Sequence, residues 1–455
     1  MTDTRDRPPH RSAALLSIGD ELVLGQTLDT NTAWLADRLF TLGVTTHEHT
    51  TVDDDARRIA QAIERLGDEA DLIIITGGLG PTEDDLTREA LGRVLAGSPD
   101  SEPVAFETDP AMLEALKKWF AHRPAGMPER NTVQATHPAG SVCLPNPNGT
   151  APGLHAWIER LGFDVFCLPG PPHEMKPMVE AEIVPQLRIA DGAVTRVRLL
   201  LTIGLGESAV ADRIADLMDR ERHGSGAVQC GTTASKGVVT VRMRVTAASE
   251  VEAATLLDEC ERDVTERLGG VIFDRRDPEQ GDSIAIRDAL PRAIIDLLRD
   301  RGETIGVVES CTGGLLGESI TEIAGSSDVF VGGFLTYSNE MKTELVGVDP
   351  EIFDTDGAVS ERCALAMAGG GLERTGAAHC LSITGIAGPG GGSDEKPVGT
   401  VFIGRASADG TGEARRFRFR GGRKAIREWS QRAALAMLRM KLVGIDMTLL
   451  AQVER

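Results

Sequence analysis

The sequence predicts two three-layer α/β domains joined by a small α+β domain. Three observations carry that expectation. The chain has 455 residues, too many for one hydrophobic core. At both ends, apolar strands of the buried parallel kind run into glycine-rich turns and then amphipathic helices. Between them the pattern changes to strands that alternate with period two.

Taken in order, residues 1–12 are polar and Pro-containing, without an apolar stretch, and read as a frayed tail rather than a signal peptide. The first domain is expected over 13–190. Ala13–Ile18 is a buried strand, Asp29-Thr30-Asn31-Thr32 supplies capping residues for a helix through Gly43, and a second helix runs from Asp54 to Gly67. Asp71–Thr76 is a continuous apolar strand ending in Gly77-Gly78-Leu79-Gly80-Pro81-Thr82. The middle domain, 195–275, holds a strand over Val197–Thr202, a helix near Glu207–Met218, an alternating strand over Val238–Val245 and a helix over Glu250–Leu268. Asp274–Asp282 is polar and reads as a linker. The last domain, 282–445, opens with a helix over Ile284–Arg301 and a strand over Thr304–Val308.

Composition narrows the function classes. A net charge of −21 gives a surface that repels nucleic acid, so no nucleic-acid partner is expected. No run of 18 apolar residues exists, so no membrane span is expected. Seven cysteines are scattered singly with no CxxC pair, which argues against a disulfide framework or a zinc site and for a reducing, cytoplasmic setting.

In the last domain, Glu309-Ser310-Cys311-Thr312-Gly313-Gly314 follows a strand and opens a helix. A serine there lies at the carboxyl edge of the sheet, beside helix N–H groups suited to an oxyanion or phosphate. Ser310 could equally be a helix cap. A serine nucleophile needs a base. The one histidine of this third, His379, begins an apolar strand, which makes a Ser-His-Asp triad a poor fit. Lysine can serve when burial lowers its pKa, whereas arginine stays charged. Only eight of the 48 basic residues are Lys, and Lys342 stands five residues after Tyr337, the sole tyrosine. A phenol can pass a proton between amine and hydroxyl. A solvated turn followed by a surface lysine is the alternative. A further strand runs from Ser382 into Thr384-Gly385-Ile386-Ala387-Gly388, whose glycines let backbone N–H groups approach a ligand. Arg423 and its basic neighbours either clamp a phosphate or form an exposed first helical turn.

In the first domain, Gly77 and Gly78 share a sheet edge with Asp20, Glu21, Asp84 and Asp85. Glycine turns can cradle phosphate, and carboxylates beside them would repel it unless a divalent cation intervenes. Capping of helix starts is the alternative for each acid. Asn31 and Glu174 complete the candidate phosphate and metal site, with Asp84 and Asp85 as the metal ligands.

The strings Glu309–Gly314, Thr336–Glu340 with Lys342, Gly357–Glu361, Thr384–Pro389 and Lys396–Thr400 resemble the PncC amidohydrolases in order and spacing. Those enzymes are similar to the C-terminal domain of the CinA family. The one departure is the second glycine of the pair preceding Arg423. The resemblance implies hydrolysis of nicotinamide mononucleotide to nicotinate mononucleotide and ammonia, without a cofactor. It implies Ser310 as nucleophile, Lys342 as base and Tyr337 as proton relay. Thr312, Gly313, Gly314, Thr384, Gly385 and Gly388 would contact the substrate, with Thr384 near the amide oxygen and Arg423 on the phosphate. The first domain resembles the MogA/MoaB fold of CinA proteins. That implies either metal-dependent pyrophosphatase action on ADP-ribose or a pterin-like ligand. The middle domain resembles the KH-type module of the same family, although Gly204-Leu205-Gly206-Glu207 lacks the basic character of a nucleic-acid clamp. It is expected to be structural, in a homodimer. A non-catalytic, competence-linked regulatory partner is the remaining alternative.

Overall fold

A computed structural model describes residues 7–121, 124, 126–189, 194–219, 227–278 and 288–453. Two compact units result: Met1–Arg196 with Thr246–Ala254 and Pro278–Ser283, and Val197–Val245 with Thr255–Asp277 and Ile284–Arg455.

The first unit contains β1 (Ser12–Ile18), α1 (Asp20–Val23), α2 (Asn31–Thr41), β2 (Thr45–Val52), α3 (Ala56–Gly67), β3 (Leu72–Thr76) and α4 (Thr87–Leu95). There follow β4 (Phe106–Thr108), α5 (Pro110–Phe120), β5 (Thr136–Pro138), β6 (Ser141–Leu144), β7 (Gly153–Ile158), β8 (Phe163–Leu168) and α6 (Pro172–Met178). The main sheet has the order β2-β1-β3-β8-β7-β6; its first four strands are parallel, and β7 and β6 turn antiparallel. Successive strand residues divide between its two faces. Ala14, Leu16, Ile73 and Ile75 pack with Ile59, Ile63 and Leu91 of α3 and α4. Ala13, Leu15, Leu72 and Ile74 pack with Leu35, Leu39 and Met175 of α2 and α6. Both faces are therefore covered, which explains why these strands read as unbroken apolar runs.

Residues 7–12 are not a frayed tail. His10 is buried and its Nε2 lies 3.0 Å from the Asp164 carboxylate, which also binds His155, Arg7 and Arg188. A buried carboxylate needs such partners, and the polar composition of the segment concealed that role. Residues 1–6 lie outside the described residues.

The middle module, most of which falls in the second unit, contains β9 (Val194–Ile203), α7 (Glu207–Arg213), α8 (Ala215–Asp219), β10 (Gln229–Ser235), β11 (Val238–Ala247), α9 (Glu250–Leu268) and β12 (Ile272–Arg276), in a sheet of order β10-β11-β9-β12. The helix expected over Glu207–Met218 is broken at Ile214, whose φ of −117° leaves the helical region. The expected linker begins as the edge strand β12, antiparallel to β9; an outer strand can present alternate charged residues to water. The rest of that linker past Pro278, and the start of the helix expected from Ile284, lie outside the described residues.

The last module comprises α10 (Ala289–Arg301), β13 (Ile305–Glu309), α11 (Leu315–Thr321), β14 (Phe330–Leu335), α12 (Asn339–Val346), α13 (Glu351–Thr355) and α14 (Glu361–Thr375). It ends with β15 (His379–Gly385), β16 (Thr400–Ser407), β17 (Gly412–Arg418) and α15 (Arg423–Val443). The sheet order is β14-β13-β15-β16-β17, parallel through β15 and antiparallel beyond it. Helices α12, α13 and α14 bury Val346, Ile352, Cys363 and Met367 on one face, and α10 and α15 lie together on the other. The middle module is docked on α15: Arg439 donates to the carbonyls of Gly270 and Ile272, and a Cβ at Gly237 would meet the Trp429 ring. The fold class is thus two three-layer α/β domains and a small α+β module. Among the described residues, no helix is long and apolar enough to cross a membrane.

Candidate functional site

The chemistry of the last module gathers where β13 ends. Ser310 follows that strand directly, and its backbone N–H donates to Ile383 at 3.0 Å, holding it against the end of β15. The next strand end is fixed by Thr336 N–H donating to Glu309 O at 2.8 Å. Gly313 and Gly314 then turn with φ of +58° and +94°, conformations that favour glycine. Ser338 caps α12, its hydroxyl accepting from Met341 N–H. That start places Lys342 one turn inside the helix and beneath the serine.

Lys342 is only 2% exposed. Its Nζ donates to Ser310 Oγ at 3.3 Å and to the carbonyls of Thr336, Tyr337 and Ser338 at 2.9, 3.4 and 3.5 Å. Among the described residues, no carboxylate forms an ion pair with it. Burial lowers its pKa from the ordinary lysine value, because the charged form loses hydration that carbonyl dipoles only partly replace. This pairs a hydroxyl with an amine that can shed its proton.

Several expected contacts fall out differently. The Tyr337 hydroxyl is not at the serine: the side chain is 66% exposed and accepts from Arg423 Nη2 at 3.2 Å. Arg423 also donates to Gly388 O at 2.9 Å, so Tyr337, Gly388 and Arg423 form one rim. Thr384 is buried, and its hydroxyl donates to Ala358 O at 2.7 Å, which removes that proton from any oxyanion contact. Gly385 is close-packed, since a Cβ there would meet Val401 and Thr400 O. The N–H groups of Gly314, Leu316 and Gly317 donate to the buried Glu309 carboxylate at 3.1, 3.0 and 2.8 Å. Those helix donors are therefore not free for a substrate anion. Thr312 is fully buried, and its Oγ1 has no hydrogen-bond partner. His379 sits at the far end of β13, opposite Ile305, roughly 16 Å of strand from the serine. It bonds Ser407 and Glu303, which removes the triad alternative.

In the first unit, a cavity of about 570 Å³ opens at the carboxyl ends of β1, β3 and β8. Glu21, Asn31, Gly77, Gly78, Asp84, Asp85 and Glu174 all line it, and Asp54 does too. Asp20 stands beside it, joined to Asp54 by two hydrogen bonds: Asp20 N–H donates to the Asp54 carboxylate at 3.0 Å and Asp54 N–H to the Asp20 carboxylate at 3.3 Å. Gly77 and Gly78 have φ of +103° and +66°, and a Cβ at Gly77 would lie 2.4 Å from Ile18 O. Asp85 is committed to its own loop: it accepts from Gly80 N–H, Thr82 N–H and Thr82 Oγ1, leaving little of the carboxylate for a metal. Asp84 is exposed. The Asp54 carboxyl is pushed up by burial and by the neighbouring charges of Asp20, Glu21 and Asp84. Glu174 accepts from Asn146 at 2.7 Å, and Asn31 donates to Gly170 O while its Oδ1 is buried without a partner. Among the described residues, no three His, Cys, Asp or Glu side chains stand close enough together to hold a metal ion.

Comparison with known proteins gives the family of the chain. Residues 287–442 match the family model described as the CinA C-terminal domain. Residues 14–189 match a probable molybdopterin binding domain and 197–273 the damage-inducible protein CinA KH domain. A putative competence-damage inducible protein of Caldicellulosiruptor bescii is 39% identical over 95% of this chain and 99% of its own length. The chain belongs to the CinA family. A CinA-like protein of Geobacter sulfurreducens is 40% identical over 94% of this chain and 99% of its own. A crystal structure of a competence/damage inducible protein from Agrobacterium tumefaciens is 44% identical, covering 34% of this chain and 95% of that one with a TM-score of 0.34.

Within this CinA-family chain, Glu309, Arg88 and Asp54 were missed from the sequence, and Arg427, read there as one of the cations that could clamp a phosphate, is turned onto the backbone instead. Arg427 donates from Nε to Thr312 O at 3.0 Å, and Arg88 holds the carbonyls of Leu79 and Gly80 from below. Glu309 carried a signal, an acid ending an otherwise apolar strand; Arg88 and Asp54 did not.

Proposed function

We propose that the last module is a serine amidase that hydrolyses nicotinamide mononucleotide to nicotinate mononucleotide and ammonia. One observation carries the reading: a buried lysine amine, without a carboxylate partner among the described residues, 3.3 Å from a serine hydroxyl at a sheet edge. In its neutral form Lys342 takes the Ser310 proton as Oγ attacks the carboxamide carbon. The ammonium returns that proton to the departing nitrogen, releasing ammonia and leaving an acyl ester. Lys342 then takes a proton from water, which attacks the ester, and gives it back to Ser310 Oγ. Arg423 with Tyr337 forms the cationic rim suited to the nucleotide phosphate. Mixing the purified protein with nicotinamide mononucleotide and measuring ammonia tests this. Turnover should vanish in Ser310→Ala, and a wild-type protein that releases no ammonia would leave only a binding or regulatory role.

For the first unit the reading is metal-dependent cleavage of a phosphoanhydride such as ADP-ribose. The oxygen-only donors fit a hard divalent cation, and the supporting observation is that Glu21, Asp54 and Asp84 line one cavity beside the Gly77-Gly78 turn. No three acids converge here among the described residues, so such an ion would be held by one or two of Asp20, Glu21, Asp54 and Asp84 together with the substrate phosphates. Such an ion would polarise a phosphoryl oxygen and acidify water. A pterin-like ligand is the alternative, favoured by the name of the matched domain. Hydrolysis of ADP-ribose that persists in EDTA would exclude the metal.

A further inference from the structure

Away from both clefts, the middle module holds two thiols against each other. Cys230 lies on β10, an outer strand of its sheet, and Cys260 on α9. Their sulfur atoms are 3.3 Å apart, and both residues are buried, at 2% and 6% exposure. No other pair of cysteine sulfurs makes such a contact among the described residues. A disulfide requires the sulfurs to approach to 2.03–2.05 Å, so closure asks for about 1.2 Å of movement. An outer strand with one paired neighbour can supply it more readily than a strand held on both sides. Access comes from one side: a cavity of about 360 Å³, lined by Leu217, Leu256, Cys260, Arg262 and Asp263 among others, reaches Cys260. Cys230 is not among its lining residues.

We propose that Cys230 and Cys260 form a reversible disulfide, a redox modification site whose oxidant is a small-molecule disulfide. The Cys260 thiolate attacks one sulfur of the reagent, releasing one small thiol and forming a mixed disulfide. The Cys230 thiolate then attacks the Cys260 sulfur and expels the second small thiol. Two protein thiols lose two electrons and two protons, and one reagent disulfide becomes two thiols. The link ties the outer strand to the long helix across 30 positions of sequence, which is why the scattered cysteine spacing did not disclose it.

The experiment uses the whole protein, equilibrated with mixtures of oxidised and reduced 2-mercaptoethanol, quenched with acid, alkylated and mapped by mass spectrometry. At the oxidising end, the peptides containing Cys230 and Cys260 should be joined, and excess dithiothreitol should separate them. In Cys230→Ser, Cys260 should carry a mercaptoethanol adduct instead. Recovery of both wild-type residues as alkylated thiols throughout, or a link from either to another cysteine, would overturn the proposal. An adduct that remains on wild-type Cys260 with Cys230 still alkylated would do the same, because the second displacement would then have failed.

Discussion

Replacing Lys342 with arginine separates charge from basicity. Arginine keeps a cation beside Ser310 and can donate to the Thr336 carbonyl, but its guanidinium does not deprotonate in a protein. Loss of a general base costs about 10²–10⁴ in rate, equivalent to about 3–5 kcal/mol at 1.36 kcal/mol per decade. The lysine is 2% exposed, so the larger head also overpacks its site, at about 1–3 kcal/mol of stability. Lys342→Met provides the control: its unbranched stem fills similar space without a charge. Both variants should lose ammonia release from nicotinamide mononucleotide through kcat, with KM little changed. Both should be compared with wild type by urea unfolding. The pH dependence follows from the lowered lysine pKa. The amidase should gain kcat/KM with rising pH, with an inflection below the ordinary lysine value of about 10.4. Stability moves the same way: the unfolded chain binds this proton more tightly than the native one. The penalty is therefore complete below the native pKa and fades as pH rises toward the unfolded value. Lys342→Met should remove that slope. An arginine variant retaining turnover within a few-fold of wild type, while folded, would refute the role of Lys342 as base.

Tyr337→Phe should leave kcat near wild type and raise KM by about two- to ten-fold, the worth of one exposed hydrogen bond to Arg423; a collapse of kcat would instead restore the relay role. Asp85→Ala should destabilise the first unit by about 1–3 kcal/mol through orphaned loop donors, read by thermal unfolding, whereas Asp84→Ala should leave unfolding unchanged and remove metal-dependent cleavage of ADP-ribose. Asp164→Asn should cost about 3–5 kcal/mol because it strips the counter-charge from a buried cluster. The same cluster gives an acid-sensitive stability. Against burial, which raises it, hydrogen bonds from His10, His155 and Arg188 hold the Asp164 carboxyl far below its usual range. Its contribution is present above the unfolded value of about 3.9 and is lost as pH falls below it. The asparagine variant should show a flatter unfolding curve in acid.

Local order was legible because periodicity and punctuation are local. The unbroken Leu72–Thr76 run announced a strand buried on both faces, and both faces are indeed covered. Ser310 and Lys342 were picked out by residue type, strand-to-helix position and the scarcity of lysine. Which hydroxyls remain available was not legible. Thr384 and Asp85 look like ligands in sequence, yet Thr384 is tied to Ala358, 26 positions away, and Asp85 to its own turn. Polar residues serve caps and ligands with the same atoms, so residue type alone does not decide between them.

The sequence by itself determined the alternation of strands and helices, the three-module order, the strand-end serine and glycine turns, and a net charge of −21. Those follow from hydrophobic period and backbone preference, which act over a few residues. Only the tertiary structure decided that Lys342 is buried against Ser310, that Tyr337 faces Arg423, that Glu309 occupies the helix donors and that Cys230 meets Cys260. Each of these depends on chain segments brought together by core packing, and the desolvation that sets the lysine's proton affinity does not exist until that packing forms.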